Sequence, residues 1–73
     1  MDKNQIRRQT SLIIRKNGEY LVGGILYSKD LRWSGSIYDA WRTRDRELAR
    51  AIARKTGGIT MLFNPITGEE RAL

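Results

Sequence analysis

The dipeptide Asn17-Gly18 constrains this chain more than any other feature, because it is the pair that most readily takes the positive φ angles of a type I′ turn. Flanking it are TSLIIRK (10–16) and EYLV (19–22), rich in β-branched, aromatic and apolar residues. A two-residue turn sets Lys16 against Glu19, Arg15 against Tyr20, Ile14 against Leu21 and Ile13 against Val22. Strand side chains alternate, so this register sorts them into two faces. Leu12, Ile14 and Leu21 form one, read as the core face and closed at the turn by a Lys16 to Glu19 charge pair. Ile13, Arg15, Tyr20 and Val22 form the other, read as an open sheet face with an aromatic beside a cation.

Gly23-Gly24 interrupts the second strand as a bulge or bend would, with Ile25, Leu26 and Tyr27 continuing it. Ser28-Lys29-Asp30 has turn composition, and Leu31-Arg32-Trp33 alternates as a third short strand, closed by Ser34-Gly35. The spacing of Ser36 and Asp39 predicts one helical turn over 37–40, followed by Trp41 packing on the sheet.

The stretch WRTRDRELARAIARKTGG (41–58) carries start, face and stop signals for one long helix over about residues 44–56. Thr43 is the expected N-cap, with Asp45 and Glu47 at the positive end of the dipole and Arg54 and Lys55 at the negative end. Gly57-Gly58 supplies the left-handed stop. Leu48, Ala51 and Ile52, with Ala49 on the flank, make the predicted buried stripe, and Arg46, Arg50 and Arg54 the outer row. ITMLF (59–63) adds a strand stopped by Asn64-Pro65, Thr67-Gly68 marks a turn, and 70–73 return as a weak last strand. The expected fold is α+β: a three-stranded antiparallel meander plus a C-terminal strand or hairpin, packed on one helix, with residues 1–9 as a frayed arm.

At 73 residues this is a single domain that buries only about 60% of its unfolded surface, so self-association would help and a homodimer stays open. The chain has neither cysteine nor histidine, which removes disulfides, thiolate nucleophiles, imidazole bases and the usual zinc ligands. No cofactor or metal is expected. The carboxylates and tyrosines have ready roles as caps, turns and ion pairs, so no enzymatic activity is expected either. No apolar run approaches the roughly 20 residues of a membrane span, and MDKNQIRRQT has no apolar signal core. A soluble, cytoplasmic protein without a membrane partner is the expectation.

Fourteen Lys and Arg against eight Asp and Glu give 14 − 8 = +6, with a pI near 10.3. Charge of that sign attracts polyanions. Within 42–55, six cations face Asp45 and Glu47, a local 6 − 2 = +4, whereas the tail after Gly58 is close to neutral. A charged outer face also serves solubility alone. Arginines stand beside aromatics: Arg15 with Tyr20, Arg32 with Trp33, Trp41 with Arg42. Arginine offers paired donors to phosphate and guanine, and rings stack on bases. Arg15, Tyr20, Arg32, Arg42, Arg46, Arg50 and Arg54 are therefore the candidate residues for binding nucleic acid or a nucleoprotein complex.

The order strand, Asn-Gly turn, strand, strand, then WRTRDRELARAIA resembles the small N-terminal DNA-binding domains of phage and transposon integrases over about residues 10–56. That resemblance implies a three-stranded sheet, backed by one helix, entering the major groove. The Gly23-Gly24 break and the strand after the helix depart from it. The whole chain also resembles short Firmicutes prophage reading frames through its DA..R.R...A..IA...GG helix and final strand. Such proteins include inhibitors of host defence, anti-CRISPR proteins among them, so a host defence protein is the alternative partner.

Overall fold

The computed structural model describes residues 10–24 and 31–73. The expected frayed arm at 1–9, the continuation of the second strand through Ile25 to Tyr27 and the turn at Ser28 to Asp30 lie outside the described residues. Five strands form one antiparallel sheet: β1 (Ser11–Lys16), β2 (Glu19–Gly23), β3 (Arg32–Ser34), β4 (Ile59–Phe63) and β5 (Glu70–Ala72), in the order β3-β2-β1-β4-β5. A 3₁₀ turn (Ile37–Asp39) and the helix α1 (Arg46–Thr56) separate β3 from β4. The α+β meander with one helix and a C-terminal hairpin is what the sequence predicts.

Asn17 at φ 53° and Gly18 at φ 78° form the expected turn between β1 and β2, in the expected register of Arg15 with Tyr20 and Lys16 with Glu19. Gly18→Val, which forces a β-branched residue into the left-handed region, should cost about 1–3 kcal/mol in chemical denaturation. An unchanged denaturation midpoint would mean that the turn does not set the register. The Lys16 to Glu19 charge pair is corrected, because the Lys16 ammonium instead donates to the Thr56 carbonyl at 2.8 Å, at the negative end of α1.

Beyond Arg15 and Tyr20 the two strands part. The Leu21 carbonyl accepts from the Trp41 N–H at 2.8 Å, and Leu12 exchanges two backbone hydrogen bonds with Thr43, at 2.8 and 3.1 Å. Residues 41–43 thus fill the gap between β1 and β2 as an extended segment. Their alternation sends Trp41 to the helix side of the sheet and Ala40 to the other. The β2 to β3 ladder shifts register between Leu21 and Gly23, the bulge expected of the glycine pair.

Two apolar clusters lie on opposite sides of the sheet. Leu12, Ile14 and Leu21 pack under Ala49, Ile52 and Ala53 of α1, ringed by half-buried Leu31, Trp33, Trp41 and Leu62. Ile13, Tyr20, Met61 and Phe63 pack with Ala40 and Ile37 on the reverse side. The open-face expectation is corrected here, since Ile13 has no exposure and Tyr20 only 7%. The 3₁₀ turn covers the face that sequence alone leaves bare.

The helix starts two residues later than expected, and Asp45 rather than Thr43 is its N-cap. The Asp45 carboxylate accepts from the Leu48 N–H at 3.1 Å, while the Thr43 hydroxyl accepts from the Asp45 N–H and shapes the approach. The buried stripe is Ala49, Ile52, Ala53 and Thr56, and Leu48, 44% exposed, and Ala51 face solvent. Gly57 closes the helix in the left-handed conformation at φ 77°. Gly58 follows with its N–H on the Ala53 carbonyl at 2.9 Å, and a Cβ there would sit 2.7 Å from Ile14 Cγ2. That close approach lets the chain drop from helix to sheet in two residues.

Candidate functional site

The candidate arginines divide among three surfaces. On the reverse face, the Arg15 guanidinium stands 5.8 Å from the Tyr20 ring centroid and pairs with Glu70 at 3.3 Å. The Tyr20 hydroxyl donates to the other Glu70 oxygen at 2.7 Å. That hydrogen bond, with burial, raises the Tyr20 pKa above its ordinary 10, so the phenol is neutral at neutral pH. A raised pKa in the folded state contributes stability below the unfolded value, which is lost as pH climbs through the folded one. These groups fasten β5 to the hairpin. Arg42 lies over the Phe63 ring at 5.3 Å and donates to the Tyr38 carbonyl at 3.3 Å.

At the β3 edge, exposed Arg32 lays its guanidinium across Gly23, within 2.8 Å of where a Cβ would stand. It is separate from the helical row.

The third surface is the helix side next to β5. Arg46, Arg50 and Arg54 are exposed, as the four-residue spacing predicts. Arg46 opens α1 and, with Arg44 before it and Arg71 on β5, lines a depression of about 370 Å³ whose floor and rim are Thr10, Ser11, Leu12 and Leu62. The cross-strand row Leu12, Leu62, Arg71 explains how a residue 25 positions after Arg46 arrives beside it. No carboxylate lines this depression among the described residues. Of the carboxylates adjacent in sequence, Asp45 caps the helix, Glu70 points to the opposite face of β5 to hold Arg15 and Tyr20, and Glu47 is exposed in the first turn of α1 outside the lining.

Arg71 and Arg44 are absent from the sequence-level candidates. Arg71 sits in a tail whose charges nearly cancel, and only the pairing of β5 with β4 separates it from Glu70. Arg44 falls inside the basic stretch 42–55, which is the one signal for it. Among the described residues no group of acidic side chains can hold a metal ion, and no helix is long and apolar enough to cross a membrane.

Fold and surface together define a small α+β domain with a basic helix side. Comparison with known protein families, characterised proteins and solved structures gives no match.

Proposed function

We propose that this protein is a non-enzymatic cytoplasmic binding module of phage or mobile-element type, which engages the backbone of nucleic acid, free or within a nucleoprotein. One observation carries the reading: Arg44, Arg46 and Arg71 line one depression beside β5 without a carboxylate among its described lining, and the exposed Arg50 and Arg54 continue the row from Arg46 at four-residue spacing. A surface of one sign concentrates polyanions and draws its affinity from counterion release. The helix side is favoured for this role, since Ile37 and Ala40 of the chain itself pack on the reverse face around Tyr20 and Phe63.

Fluorescence anisotropy with a generic duplex tests it. Affinity should fall steeply between about 50 and 200 mM salt, and Arg50→Ala or Arg54→Ala should each shallow the log-log slope by roughly 0.7–0.9. Absence of binding at about 50 mM salt would end the nucleic-acid reading.

The second reading is an anti-CRISPR-like inhibitor of host defence, acting by protein contact. It is favoured by Tyr38 and Ile66, 61% and 48% exposed, which stand at the 3₁₀ turn and in the 65–67 turn. The Tyr38 hydroxyl reaches that second loop, 3.8 Å from a Cβ placed on Gly68. A tyrosine presented this way is a usual anchor of protein interfaces.

A further inference from the structure

We infer that the depression between the start of β1, the first turn of α1 and β5 is a phosphate pocket that seats one backbone phosphate of a polynucleotide; this rests on the nucleic-acid reading above. Three arginines line it: Arg44 from the loop before α1, Arg46 from the first helical residue and Arg71 from the edge strand. Arg44 and Arg46 are neighbours in the chain, and the fold brings Arg71 to them, since the Leu12, Leu62, Arg71 row spans three strands.

Like charges gathered in a concavity repel one another and focus a positive field outward. No carboxylate lines the depression among the described residues: Asp45 spends one oxygen on the Leu48 N–H and Glu70 spends both of its oxygens across the sheet. The Arg46 and Arg71 side chains have no hydrogen-bond or ion-pair partner among the described residues. Their paired N–H donors match the geometry of a phosphate oxyanion, which accepts them two at a time. Leu12 and Leu62 give an apolar floor that strengthens charge-assisted bonds above it. The depression, about 370 Å³, is open at the surface, so a phosphodiester can enter it while the polymer continues outside. Base edges play no part in such a contact, so it positions the polymer without reading sequence.

The test uses the full chain with two probes, inorganic phosphate and a generic duplex. In amide NMR at constant ionic strength, phosphate should produce a saturable shift centred on Leu12, Arg44, Arg46 and Arg71. Arg71→Ala should abolish it, whereas Arg54→Ala should leave it intact. On duplex, Arg71→Ala should shallow the salt slope by about 0.7–0.9, and Arg71→Lys, which keeps the charge without the two-pronged donor, should restore that slope. Arg71 is exposed on an edge strand, so these variants keep the native fold, as dispersed amide spectra should verify. A phosphate response scattered over all the arginines without saturation would overturn the pocket. So would a duplex slope unchanged by Arg71→Ala, while leaving the nucleic-acid reading standing. Saturable phosphate binding without any duplex binding would overturn the polynucleotide as occupant and leave a free phosphate site.

Discussion

Phe63→Ala is expected to cost about 3–5 kcal/mol, a large part of the stability a domain of 73 residues commands. Phe63 has no solvent exposure and closes the reverse cluster with Ile13, Met61 and Tyr20 under Ala40 and Ile37. Tyr38 meets it edge-on, with centroids 5.7 Å apart and planes at 76°, and Arg42 lies over it at 5.3 Å. Truncation therefore removes the transfer free energy, leaves a cavity and strips two other side chains of the surface they rest on. Urea denaturation reads the loss. The control is Ile59→Ala, on an equally apolar strand position that is 60% exposed, which should change stability by about 0.5 kcal/mol or less. Equal losses at the two positions would mean that the reverse face is no core and that the 3₁₀ turn does not cover it.

Features coded by neighbouring residues were legible in the sequence. The Asn17-Gly18 turn, the bulge at Gly23, the Gly57 stop and the end of β4 before Asn64-Pro65 each depend on the φ or donor capacity of residues adjacent in the chain. What escaped depends on residues far apart. Strand alternation places Tyr20 opposite the helix, but only the path of residues 37–40 decides whether that face meets water. Lys16 has two plausible partners, and the nearer in sequence loses because Thr56 offers an unpaired helix carbonyl. The site divides the same way. Spacing alone put Arg46, Arg50 and Arg54 on one exposed side, whereas Arg71 joins them only through two strand ladders.

The phase of the helix gives the other large effect. Ile52→Ala should cost about 2–5 kcal/mol, and Leu48→Ala less than about 1 kcal/mol, although both truncations remove the same three carbons. The two residues are separated by one turn, and the sequence reading put both against the sheet. An α-helix advances 3.6 residues per turn, so a buried stripe through Ala49, Ile52, Ala53 and Thr56 leaves Leu48 on its flank. Apolar character alone favours the leucine; packing favours the alanines. With only methyl groups at Ala49 and Ala53, the helix comes close over Leu12, Ile14 and Leu21, and Ile52, 5% exposed, fills the remaining space. A leucine in either alanine's place would push the helix away and lengthen the two-residue drop through Gly58, where Ile14 leaves no room for a Cβ. Denaturation of the two variants side by side decides the phase. If Leu48→Ala proves the costlier, the stripe is rotated toward Leu48, and Arg46 no longer overlooks β5 and Arg71.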